Sequence, residues 1–132
     1  MTAPQIAPYG VEAFYEAMTG TVSYVLYDRA TRLAAVIDPV WDFDAKSGRT
    51  STASVQKIAT YLQAQQLQLV WVLETHAHAD HLSAAQWLAQ QAKAKVAIGA
   101  HITQVQKVFN GIYGLDSSTA AQAADFDRLL AD

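Results

Sequence analysis

Three of the chain's four histidines fall within six residues, in Thr75-His76-Ala77-His78-Ala79-Asp80-His81. Imidazole and carboxylate are the common ligands of zinc and of non-haem iron. His76 and His78 are two apart, so they share one side if extended backbone persists through them. Asp80 and His81 follow in the turn and can fold back towards the same point. A single histidine at a strand end is an ordinary hydrogen-bonded residue, but three histidines and an aspartate at this spacing are hard to explain as packing. His76, His78, Asp80 and His81 are therefore the candidate metal ligands, and Asp80 is also the candidate catalytic carboxylate.

The elements around this run must bring it to one place. Leu67 to Leu73 is apolar and partly β-branched and predicts a buried strand leading into the motif. A helical pattern begins after it, with Ala85, Leu88, Ala89 and Ala92 on one face. Ligands at the carboxyl end of a strand suit an α/β sheet, where such ends form binding crevices. Upstream, Val22 to Tyr27 and Leu33 to Ile37 flank the polar turn Asp28 to Arg32 and predict a β-hairpin. Val11 to Met18 predicts a further strand. Trp41 to Thr50 reads as a polar surface loop anchored by Trp41. Val55, Ile58, Ala59 and Leu62 predict a core-packing helix, capped by Ser51 or Thr52. The order strand, helix, strand implies a right-handed crossover and a parallel pair. Lys95 to Ile98 is the next short strand, and a third helix is expected on Ile102, Val105, Phe109 and Ile112.

Thr75 to His81 matches the HxHxDH signature of the metallo-β-lactamase superfamily. The longer run Glu74 to Ala85, with Ile37-Asp38-Pro39-Val40 and Ile98 to Thr103, resembles its persulfide dioxygenase branch, a neighbour of glyoxalase II. The resemblance covers most of residues 11 to 114. It implies an α/β fold, the N-terminal half of a four-layer αββα sandwich, with a mixed sheet and flanking helices. It places Asp38 beside the metal site as a support; read from the residues alone, Asp38 is equally a turn aspartate before proline. It places His101 on the substrate side, where a lone histidine at a helix start is otherwise a capping or packing residue.

The resemblance also implies that further ligands, a histidine and an aspartate above all, come from a second half. No histidine follows His101 in this sequence. In the dioxygenase branch His76 would then be the one iron ligand present. The expected activity is oxidation of a glutathione persulfide at one Fe(II). The alternative is a thioester hydrolase resembling glyoxalase II, with one to two Zn(II), His76 and His78 on one metal and Asp80 and His81 on the other. A third reading, from outside enzymology, is a non-catalytic half domain that acts only with a partner. The missing donors imply a longer enzyme, a natural short form, or a homo-oligomer in which two copies complete each other.

At 132 residues one domain is expected, with residues 1–10 as a loose lead-in and 115–132 as a weakly defined tail, helical or partly disordered. A net charge of −3 gives no case for nucleic acid or an anionic membrane surface. With no cysteine, neither a disulfide framework nor a thiolate metal site can form from this sequence. No secretory signal or bilayer-length apolar run is seen, so a cytoplasmic enzyme acting on a small glutathione-linked sulfur compound is expected.

Overall fold

The structure is a computed structural model, and it describes residues 6–44, 46–75, 82–99 and 128–130. Four strands open the chain: β1 (Tyr9–Glu16), β2 (Thr21–Asp28), β3 (Leu33–Ile37) and β4 (Val40–Asp44). Then come β5 (Arg49–Ser51), helix α1 (Ala53–Ala64), β6 (Gln68–Glu74), β7 (Leu82–Ser83), helix α2 (Ala85–Ala92), β8 (Lys95–Gly99) and β9 (Arg128–Leu130).

Two sheets result. The larger has the order β1-β2-β3-β6-β8-β9 and the smaller the order β5-β4-β7. β1, β2 and β3 are antiparallel neighbours, as the hairpin signals require, whereas β3, β6, β8 and β9 run parallel. Parallel neighbours need a crossover, and successive right-handed crossovers in one direction put their helices on one face. That face holds the core. Val25, Val36, Val72 and Val96 from four adjacent strands meet Val55, Ile58 and Leu62 of α1 and Leu88 and Ala89 of α2. Fully burying one such aliphatic side chain stabilises the fold by roughly 1.5–3 kcal/mol before entropy is counted. Phe14 on β1 adds an edge-to-face contact with Tyr61 of α1, with ring centroids 5.6 Å apart. The opposite face of the same sheet is also apolar, yet Tyr24, Leu26 and Leu33 remain 39, 38 and 41% exposed there.

Residues 41 to 50 depart from the predicted loop: they contain a β4–β5 hairpin, with Asp42 opposite Ser51 and Asp44 opposite Arg49. The polar side chains conceal the strands, and the turn is made by local bonds. Asp44 Oδ1 accepts from the Lys46 amide at 3.0 Å, Oδ2 from the Ser47 hydroxyl at 3.0 Å, and Gly48 takes φ +69°. Phe43 of β4 is exposed, but Trp41 packs edge-to-face on Trp87 of α2.

The cap of α1 is shared. Thr52 occupies the N-cap position but makes no side-chain cap bond, while Ser51 Oγ accepts from the Ala53 amide at 3.1 Å. Asp42 reaches over from β4, accepting from the Ser54 amide at 2.7 Å and the Ser54 hydroxyl at 2.5 Å. A carboxylate at a helix N-terminus meets unsatisfied amides and the positive end of the dipole, which makes it the stronger cap. Leu82 and Ser83, expected to start the helical pattern, form a short strand against Trp41 and Val40 instead. Tyr9 and Gly10 belong to β1 rather than to a loose lead-in. Residues 128–130 form a strand beside β8, not a helix. The expected third helix lies outside the described residues. Among the described residues, no helix is long and apolar enough to cross a membrane.

Candidate metal centre

The segment between β6 and β7 carries the motif, and its two ends are fixed by one tripeptide, Asp38-Pro39-Val40, which follows β3. β3 and β6 are parallel with Ile37 opposite Leu73, so Asp38 lies beside the end of β6. Its amide donates to the Leu73 carbonyl at 2.9 Å, continuing the ladder by one residue. There the chain turns out of the sheet, with Asp38 in the left-handed region at φ +54°. Asp and Asn tolerate that region better than other side chains, and the following proline excludes α-helical backbone before it.

Asp38 is 8% exposed. Its carboxylate grips the last residue before the motif: Oδ1 accepts from the Thr75 amide at 2.9 Å and Oδ2 from the Thr75 hydroxyl at 2.6 Å. Its carbonyl accepts from the buried Ser23 hydroxyl on β2 at 2.6 Å. Bonds to an ionised acceptor are the stronger kind, roughly 1.5–3 kcal/mol each. Three strands thus converge on one aspartate.

The far end of the motif is held by the next two residues. Val40 pairs with Ser83, and the Pro39 carbonyl accepts from the Ala84 amide at 3.0 Å. Ser83 Oγ in turn donates to Glu74 Oε1 and accepts from the Ala85 amide, the latter at 3.1 Å. The residues that flank the motif, Thr75 before it and Ser83 and Ala84 after it, are therefore held from both sides. Fixed flanks at the carboxyl end of a parallel strand suit a ligand set, because strand and helix fix where each end points.

His76, His78, Asp80, His81 and His101 lie outside the described residues. Among the described residues, no group of three or more histidine or acidic side chains could hold a metal. Asp38 is the one candidate whose surroundings are described, and its two oxygens engage Thr75. It fits a residue that positions a ligand loop. The sequence reading missed Thr75, Glu74 and Ser83; the available signal was a run of polar side chains at both edges of the motif. The donor set itself, three imidazoles and a carboxylate in one short sequence run between held flanks, fits a zinc or iron ion in ligand chemistry.

Residues 18–109 match the model of the metallo-beta-lactamase superfamily. A probable metallo-hydrolase of Burkholderia pseudomallei is 44% identical over 122 residues, 92% of this chain and 42% of that protein. Glyoxylase B2 of Dictyostelium discoideum is 38% identical over 123 residues, again 92% and 42%. The mitochondrial persulfide dioxygenase ETHE1 of Bos taurus is 31% identical over 77 residues, 58% of this chain and 26% of that protein. Among solved structures, ETHE1 from Myxococcus xanthus aligns with a TM-score of 0.55 at 29% identity, over 66% of this chain and 34% of that one. The BLEG-1 B3 metallo-beta-lactamase shares the fold with a TM-score of 0.61 at 24% identity, over 92% of this chain and 53% of that one. The chain spans less than half the length of the curated relatives it matches.

Proposed function

Because the chain belongs to the metallo-β-lactamase superfamily, a metal-dependent superfamily with glyoxalase II-like and ETHE1-like relatives, we propose that it supplies the first ligand loop of an iron persulfide dioxygenase. The observation that carries this reading is the Asp38–Thr75 pair, which fixes the strand end from which His76 departs. Outer partners of this kind orient ligands and are worth 10- to 100-fold in metal affinity. The likeness of the motif and its flanks to the persulfide dioxygenase branch directs the reading to that chemistry.

The reaction would oxidise the outer sulfur of a glutathione persulfide with dioxygen and water, giving sulfite and the free thiol. Iron, when bound, supplies open coordination positions that bring sulfur and dioxygen together. His76 is the proposed iron ligand from this chain, with His78, Asp80 and His81 completing the loop. Asp38 keeps Thr75, and hence the backbone entering His76, in one orientation. Val40, Pro39 and Glu74 do the same at Ser83 and Ala84. The sulfur must arrive on the substrate, since this chain has no cysteine to carry it. The remaining donors would come from outside this stretch, from further chain or a second copy.

The second reading is a zinc thioester hydrolase, favoured by the 38% identity to glyoxylase B2 over nearly the whole chain. In it His76 and His78 would hold one zinc and Asp80 and His81 another, and the metals would supply a water of lowered pKa for hydrolysis of the thioester. Oxygen uptake with glutathione persulfide, measured beside hydrolysis of a glutathione thioester, separates the two. Iron-dependent uptake producing sulfite is the expected result. Zinc-dependent thioester cleavage without uptake would replace the dioxygenase, and inactivity of every metal-loaded form on both substrates would leave the non-catalytic half domain.

A further inference from the structure

Every side chain of β4 but one has a place in the fold. Val40 is buried, Trp41 packs on Trp87 with ring centroids 6.5 Å apart, and Asp42 caps α1 through Ser54. Asp44 ties the turn of the hairpin: its carboxylate accepts from the Lys46 amide and the Ser47 hydroxyl, and its carbonyl accepts from the Gly48 amide at 2.8 Å. Phe43 is left over, 49% exposed on a strand whose two ends are fixed.

The register says where that ring stands. β4 and β7 are antiparallel, with Trp41 opposite Leu82, the first residue after the histidine motif. Past Trp41, β4 therefore runs towards the side from which the motif joins Leu82. Phe43 is two residues along it, so strand geometry alone keeps its Cα within about 12 Å of that of Leu82. Alternation puts its ring on the face that carries Trp41, opposite the face from which Asp42 reaches Ser54. Trp87, in the first turn of α2, completes an aromatic ledge beside the exit of the motif, with two rings packed and one open to solvent.

We propose that Phe43 is a specificity-determining residue, whose ring stacks on the amide groups of a peptide thiol while the thiol's sulfur reaches the metal. This rests on the reading of the substrate as a glutathione-linked sulfur compound. Amide planes and the methylene groups between them suit the flat apolar face of a phenyl ring better than they suit water. A ring already fixed by its strand loses little freedom on contact, so the stacking is realised as affinity. Length agrees too: a tripeptide extends roughly 10 Å, comparable with the reach from Leu82 to Phe43. A short aliphatic thiol touches the metal or the ring but not both, and the ledge thereby separates the two classes.

S-methylglutathione, which carries the tripeptide without a reactive sulfur, is the probe. The chain has three tryptophans, and hence three indole N–H signals in a nuclear magnetic resonance titration. Those of Trp41 and Trp87 should shift. That of Trp71, which alternates with buried Val72 and so lies on the far face of the large sheet, should not. Phe43→Ala should weaken binding about five- to tenfold with unchanged circular dichroism, and Phe43→Tyr should stay within about twofold of the parent. The amide-free thioether 2-(methylthio)ethanol should shift none of the three signals. No binding of S-methylglutathione, a shift confined to Trp71, or equal constants for the parent and Phe43→Ala would overturn the proposal. Should Phe43→Ala fail to fold, Phe43→Leu, which keeps bulk and loses the flat ring, decides in its place. The titration involves no turnover, so binding at this ledge without oxygen uptake would refute the dioxygenase reading alone.

Discussion

Asp38 binds Thr75 through both carboxylate oxygens, at 2.9 and 2.6 Å, across 37 residues of sequence. The bond joins the turn after β3 to the last residue before the histidine motif. It makes the antiparallel half of the sheet, through Ser23 on β2, a mechanical support for the end of β6 on the parallel half.

Removing that carboxylate should be felt as stability first. Asp38→Ala deletes two charge-assisted bonds, leaves the Thr75 donors without them, and puts alanine at φ +54°. A loss of about 2–4 kcal/mol is expected in urea unfolding. Asp38→Asn, which tolerates the backbone and keeps one acceptor oxygen, should lose less than half of that. No loss in either variant would show that the carboxylate bonds contribute little.

Thr75 supplies the partner test. Thr75→Val keeps shape and removes the 2.6 Å hydroxyl bond, so about 1–2 kcal/mol should be lost. Thr75→Ser should fall within about 0.5 kcal/mol of the parent. In the double variant with Asp38→Ala, the cost of Thr75→Val should largely vanish, as expected of coupled neighbours.

Asp42 provides a contrast away from the loop. Asp42→Ala removes the bonds to Ser54 at the start of α1 and should cost about 1–2 kcal/mol. Metal affinity, measured by cobalt titration, should stay within about twofold of the parent, against the 10- to 100-fold expected for an orienting partner. A loss as large as that of Asp38→Ala would mean that both act only through global stability.

Alkaline pH should expose the β1–α1 contact. Burial, then the hydrogen bond with Tyr27, pushes the Tyr61 phenol up to about 12 from its ordinary 10.0. A raised folded-state value favours the protonated form, so this contribution is complete below pH 10 and is lost as pH climbs through about 12. Urea midpoints of the parent should fall over that window more steeply than those of Tyr61→Phe. Parallel curves would refute the assignment.

Most of the large sheet could be read from the sequence because its signals are local or periodic. β-branched and aromatic runs gave β2 and β3, and the spacing of Val55, Ile58 and Leu62 gave α1. Hidden features depended on partners distant in sequence. The Asp42 cap and the β4 pairing with both β5 and β7 arise from residues that look like loop when read alone. Asp38 stood out through its place before proline and its family likeness, but its grip on Thr75 needed the parallel pairing of β3 with β6. The histidine motif was the clearest signal in the sequence, and its side chains lie outside the described residues.

The most direct test of the account is the affinity of the chain for cobalt(II), iron(II) or zinc(II) before and after Asp38→Ala, with folding checked by circular dichroism. The account predicts metal binding by the parent and a 10- to 100-fold weaker constant in the folded variant. Equal constants, or a folded parent that binds none of the three, would contradict the claim that Asp38 holds a metal-ligand loop through Thr75.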